Sequence, residues 1–464
     1  MSLTRNQIII IVLAGLIVLF FLLVFFGIIP GLKGPGTGSF GLPGGGYETE
    51  LIFWGVTEAG DTSAIQLIIE EYLKTNKNVR INYRQFDDVL SYEKTLLNSL
   101  ATGQAPDIFM FHSSWLPKHY DKVMPVPETF LPLSQFRQLF PTVIEQNFVQ
   151  LLSEIIAGIG QNFVQLLSEI IIEQNFVLNG KVYALPLYID TLAFLYNKDI
   201  FDAKSIALMP KTWQEFQNLI SQLRQINILN QIVKPAAALG GSEKNINSAS
   251  DLLNLLMLQF GSQMIDQYGK INFGNQGLQA LNFYLQFANP SSPYYTWNEN
   301  LHYSLDSFSE GSTAIIFNYA SQIPLIKAKN PYLSIGVTLT PQPAGVSQPI
   351  DYANYWGLSV SNQSRNSNLA WNFIFSATTN SQVSEIYLQA VKKPPALRSL
   401  IEKYKNDPEL GVFAKQALTA RSWPQPDSNV VKQTFSNMIE SVLSGRLNSE
   451  QALRQAENEI NELK

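Results

Sequence analysis

Cysteine is absent from all 464 residues. That excludes a disulfide framework, a thiol nucleophile and a membrane anchor made by lipidating a cysteine. Histidine is scarce, with three copies. His112 and His119 lack the H-E-x-x-H spacing that sets two imidazoles and a general base on one helical face, so no resident metal is expected. Neither G-x-x-x-x-G-K-[ST] nor G-x-G-x-x-G occurs. The chain therefore has no P-loop and no dinucleotide fingerprint, and no cofactor is expected. Charged residues make up 15%, with 32 basic against 37 acidic and a net charge of −5, and no basic patch points to nucleic acid. Adjacent Asp87 and Asp88 fit a solvated loop, and nothing singles out the paired carboxylates of a glycosidase. These absences argue against an enzyme.

What the chain has is apolar length. At 464 residues and 46% hydrophobic content it can fill two cores, since a single core stops growing near about 250–300 residues. Ile8 to Ile29 runs 22 residues without a charge, long enough at about 1.5 Å per residue to cross a hydrocarbon layer of about 30 Å. No small-residue cleavage site follows in Phe25 to Gly31, so residues 1–30 read as an uncleaved transmembrane anchor rather than a signal peptide. Arg5 on the cytoplasmic side would leave the remainder outside the cell, as a single-pass protein of the cell membrane. Residues 31–46 are rich in Gly and Pro and should form a flexible linker reaching about 20–25 Å.

One region repeats itself. Gln146–Ile156 recurs residue for residue as Gln161–Ile171, and Ile144–Val149 recurs as Ile172–Val177. Removing residues 150–177 restores an uninterrupted run into Leu178, so those 28 residues read as a duplicated insertion. Phe148, Leu151, Leu152, Ile155 and Ile156 make an apolar helical stripe, with Gly158 and Gly160 as the break before the second copy. A helical hairpin whose two faces bury each other is expected.

Elsewhere strand and helix patterns alternate. Ala64–Lys74 has apolar residues at helical spacing, with Asp61 or Thr62 available as a cap, and Val79–Tyr83 alternates as a strand. Further helices are expected at 92–102, 212–225, 250–259, 275–288, 367–378, 381–390 and 448–463. Strands interleaved with helices predict an α/β fold with mostly parallel sheets and a ligand site at their carboxyl ends. Aromatic residues make up 12% and gather in polar stretches around Trp115, Tyr188, Tyr294–Trp297, Tyr352–Trp356 and Trp423. An aromatic face can lie on the C–H face of a sugar while carboxylates and amides take its hydroxyls.

The stretch Tyr183–Phe201 combines these signals. Pro186 and Asp190 interrupt an apolar, β-branched and aromatic run where a strand core should hold neither without a reason, which makes Asp190 a candidate ligand contact. Five further landmarks accompany it in order: Glu50–Gly55 leading to a polar turn and a helix, Pro106–Phe111, Lys211–Phe216, Phe308–Phe317 and Trp356–Ser361. From about residue 48 onward the chain resembles the extracellular solute-binding proteins of ABC importers, of the maltodextrin and oligosaccharide type.

The resemblance implies a two-lobed, type II periplasmic-binding-protein-like fold behind the anchor. Lobe 1 would take residues 47–190 and about 313–357, with the insertion at 150–177. Lobe 2 would take residues 191–312 and about 358–464. A small solute, a carbohydrate by the aromatic content, would be trapped by hinge closure and passed to permease subunits driven by a separate ATPase. Thr57 and Glu58 match the polar turn after the first strand, Ser114 and Trp115 the loop after the second, and Asp190 the acid of the crossing strand. Asn318 and Tyr319 follow the return strand, and Tyr355 and Trp356 sit at the last hinge. Tyr188 and Trp297 complete the candidate ligand contacts. Maltodextrin receptors hold an acid and an arginine where this chain has Ser114 and Trp115, a departure that counts against maltodextrin itself. A tethered sensory or adhesive module, or the same fold binding a non-sugar solute, are the alternatives.

Overall fold

The computed structural model describes residues 49–57, 64–141, 175–266 and 268–463. The run Ile8–Ile29, the linker 31–46, nearly all of the repeat, Glu58, Asp61 and Thr62 lie outside them. No helix among the described residues is long and apolar enough to cross a membrane.

The first sheet orders its strands Val79–Phe86, Thr49–Val56, Ile108–His112, Trp356–Ser361 and Val123–Met124, with Leu185–Pro186 also paired to Trp356–Ser361. Period-two alternation places it: Leu51 and Phe53 are buried while Ile52 between them is exposed. Thr49–Val56 runs parallel to Ile108–His112, but Trp356–Ser361 is antiparallel to it, with Trp356 opposite His112. The Leu185–Pro186 strand explains the Gly in Trp356-Gly357. A Cβ there would meet the Leu185 carbonyl oxygen at 2.6 Å. Helix Ala64–Thr75 covers one face together with Ser367–Thr379 and Ser381–Val391, and Tyr72 and Phe53 both meet Phe373 edge-on.

The second sheet has Ala193–Asn197 at its centre, antiparallel to both Ile315–Asn318 and Ile335–Thr338. Its core is helical. Trp213, Phe216, Leu219, Ile220 and Leu223 are buried along helix Trp213–Leu223, whose start is held by a reciprocal Thr212–Glu215 capping box. They pack with residues from helices Ala249–Gln259, Gly274–Leu285, Ser428–Leu443 and Ser449–Asn461. All of these helices but Ser428–Leu443, which was not expected, form close to their expected bounds. Asp88, read as a loop residue, is instead the N-cap of helix Val89–Ala101.

A third, small sheet joins Asp190–Thr191, Asp351–Asn354 and Ala420–Arg421. It lies where the chain passes between the other two sheets, at the place of the expected hinge.

Two expectations are corrected. The first and third sheets are mixed and the second is wholly antiparallel, rather than mostly parallel. Two segments also exchange lobes. Residues 315–338, expected in lobe 1, complete the second sheet. Trp356–Ser361 and the helices through Val391, given mainly to lobe 2, sit in lobe 1, where backbone pairing to Ile108–His112 and packing on helix Ala64–Thr75 hold them.

Candidate functional site

Asp190 sits on the hinge and is buried. Its Oδ1 accepts the N–H groups of Thr191 and Ala320, both at 2.9 Å, and its Oδ2 accepts that of Ser321 at 3.0 Å. The carboxyl thus fastens the turn after Ile315–Asn318 to the hinge. Burial pushes its pKa up to about 6, against the opposing pull of the Lys393 charge and of those three N–H groups. Lys393 is buried nearby, with Nζ 2.7 Å from the Tyr188 hydroxyl and 3.8 Å from the Tyr188 ring centre. Tyr188 therefore carries a buried cation at the hinge.

On the first lobe the rings gather. Trp356 meets Trp115 at 5.1 Å, His112 at 4.9 Å and Tyr92 at 6.1 Å, each edge-on, while Tyr92 stacks on Trp115. Trp115 and Trp356 are almost fully buried, so their faces are spent on one another and form a wall. A polar relay runs across it. Asn354 Oδ1 lies 2.8 Å from His112 Nε2, which must donate. Nδ1 then accepts the Ser114 hydroxyl at 2.7 Å and its backbone N–H at 3.3 Å. Ser114, His112 and Asn354 are all half-buried. Tyr355 turns the other way, accepting from Asn175 Nδ2 at 2.8 Å and meeting Phe176 edge-on. Thr57 ends the first strand half-buried, its N–H on the Phe86 carbonyl.

On the second lobe the groups are polar. The Tyr319 hydroxyl donates to Asp251 Oδ2 at 2.6 Å, and burial first, then the Asp251 charge, push that hydroxyl well above its ordinary value. Lys432 reaches Glu243 at 3.3 Å, and Asn247 Nδ2 contacts the Tyr303 hydroxyl at 3.3 Å. Asn318 is buried beside Tyr319, with its Nδ2 unpartnered among the described residues. Trp297 is buried away from this cluster's contacts, its backbone N–H on Phe287.

Of the residues expected at the site, Ser114, Trp115 and Trp356 come together on one side, Asp190, Asn318 and Tyr319 on the other, and Tyr188 behind the hinge. Thr57 meets Phe86, Tyr355 meets Asn175, Phe176 and the Ser113 N–H, and Trp297 meets Phe287, while Glu58 lies outside the described residues. His112, Asn354, Glu243, Asp251, Tyr303 and Lys432 were missed. Asn354 stood within the noted Tyr352–Trp356 run, and His112 had been weighed only as a metal ligand. Among the described residues no three His, Asp or Glu side chains converge as a metal site.

The family model for bacterial extracellular solute-binding proteins matches residues 68–412. A maltotriose-binding protein of Pyrococcus abyssi is 21% identical over 406 residues, covering 85% of this chain and 77% of the relative. The sugar-binding protein MalE of Xanthomonas citri superposes with a TM-score of 0.71 at 17% identity, over 89% of this chain and 97% of that one. An ABC transporter solute-binding protein of Thermotoga lettingae, solved with α-D-tagatose, superposes with a TM-score of 0.67 at 20% identity, over 90% and 100%. The chain belongs to the bacterial extracellular solute-binding protein family.

Proposed function

We propose that this protein is the membrane-tethered receptor of an ABC importer, capturing a sugar or oligosaccharide between its lobes by hinge closure and delivering it to a permease. The observation that carries this reading is the division of labour around the hinge. An apolar ring wall with half-buried hydroxyl, imidazole and amide groups stands on one lobe. Carboxylate, amide and phenol groups stand on the other. A carbohydrate offers hydroxyls around its rim for the polar groups of both sides, while the buried rings hold His112, Ser114 and Asn354 in place. Similarity to a maltotriose-binding protein supports the same ligand class. Closure is favoured to the extent that the ligand contacts both lobes at once. Tethering is supported by the uncharged run Ile8–Ile29 and the Gly/Pro-rich linker, which would keep the receptor near its permease at raised effective concentration.

Ligand-induced thermal stabilisation tests the ligand class. Residues 47–464 are melted with mono- and oligosaccharides, amino acids and polyamines. A rise in Tm with a saccharide that fails for Asp251→Asn supports the reading, and a rise confined to amino acids or polyamines removes the sugar.

A further inference from the structure

A polar cluster joins the two lobes away from the hinge strands. Lys118, on the short helix Leu116–His119 of the first lobe, places Nζ 2.6 Å from Asp427 Oδ2 and 3.4 Å from Glu93 Oε1. Asp427 is the N-cap of helix Ser428–Leu443 on the second lobe, its side chain also taking the N–H groups of Asn429 and Val430. Glu93 is buried on helix Val89–Ala101 of the first lobe. Its Oε2 accepts from Asn429 Nδ2 at 3.0 Å, and its Oε1 lies 3.3 Å from His119 Nε2. Residues 309 and 336 positions apart in sequence thus meet across the lobes.

We propose that Lys118, Glu93, Asp427 and Asn429 form a clasp that holds the lobes together before any ligand arrives and so sets the closed-to-open ratio of the empty receptor. This rests on the hinge-closure reading above.

Three features favour a clasp over ordinary core packing. None of the four residues belongs to the hydrophobic core of the second lobe, so they can part without unfolding it. The Lys118 side chain is 35% exposed and that of Asp427 20%, so water can replace their contacts on opening. The charges are complementary and shared: one ammonium serves a carboxylate from each lobe, and the buried carboxylate is also served by an amide from the far lobe. Opening would leave Glu93 with His119 and Lys118 but without its partner from the second lobe. A clasp of this kind raises the apparent affinity for ligand by populating the closed arrangement in advance. Because its ion pairs are partly exposed, salt loosens it.

The chain's lack of cysteine makes the test direct. Asn98→Cys and Asn437→Cys place one spin label at an exposed position on each lobe, and their separation is read by pulsed electron resonance on the full chain in detergent, without ligand. Lys118→Met and Asn429→Ala are each expected to move population to the longer separation, lowering the closed-to-open ratio by roughly 3- to 10-fold. High salt should do the same to the parent protein and little to Lys118→Met. Circular dichroism melts of both variants confirm that the lobes remain folded. Superimposable distance distributions in parent, Lys118→Met and Asn429→Ala would overturn the proposal. Because no ligand is added, a wrong ligand class leaves this result intact.

Discussion

The two sides of the hinge solve different problems with different residues. On the first lobe Tyr92, His112, Trp115 and Trp356 pack ring against ring at 4.9 to 6.1 Å, and the tryptophans are almost wholly buried. On the second lobe Lys432 pairs with Glu243, and the Tyr319 hydroxyl donates to Asp251. The difference teaches that Trp115 and Trp356, visible in the sequence as aromatics, serve packing. Under the proposed function discrimination would fall to the less conspicuous polar groups, because a buried donor or acceptor left without a partner costs more than a lost apolar contact.

The comparison can be broken most forcefully at the wall. Trp356→Ala should destabilise the first lobe by about 3–5 kcal/mol, since the cavity cannot collapse among three other rings. Urea unfolding measures it, and a change below about 1 kcal/mol would mean that the wall is not a packed unit. Next comes the fastening between the sides. Asp190→Ala strips acceptors from the N–H groups of Thr191, Ala320 and Ser321, with an expected loss of about 2–3 kcal/mol.

Acid titration sharpens the same point. The Asp190 carboxyl stands at about 6 in the folded protein against 3.8 ordinarily, because of burial above all. Between those values the folded state holds a proton that the unfolded chain has released. This group's contribution therefore makes stability fall as pH rises through that window and stay level above it. The sloped component should vanish in Asp190→Asn, and an unchanged pH profile in that variant would show that the carboxyl titrates normally.

The smallest effect is expected at the relay. Ser114→Ala removes the hydroxyl donor to His112 Nδ1 at a cost of about 1 kcal/mol, while Ser114→Thr keeps the hydroxyl and should recover most of it. Equal melting temperatures for parent and Ser114→Ala would remove the relay from the account.

Much of the fold was legible. Helices such as 212–225 followed from apolar spacing, and the two cores followed from length and apolar content. The strand landmarks identified the family. The assignment of segments to lobes was not legible, because order along the chain does not reveal which sheet a returning strand joins. That depends on backbone pairing such as Trp356 opposite His112. Asp190 was visible as an acid in an apolar run, but its partners are main-chain N–H groups 130 and 131 residues away in sequence, which no local pattern encodes. His112 and Asn354 were overlooked for a similar reason. Their significance lies in a contact spanning 242 positions.

Isothermal titration of residues 47–464 with a panel of gluco-, malto- and manno-oligosaccharides, repeated on Asn354→Ala and Asp251→Asn, tests the central claim most directly. The account predicts binding of at least one oligosaccharide that weakens by about tenfold or more in each variant, since each removes a polar partner from a different side of the site. Saccharide binding of equal strength in the parent and both variants would place the ligand elsewhere, and silence across the whole panel would contradict the sugar receptor itself.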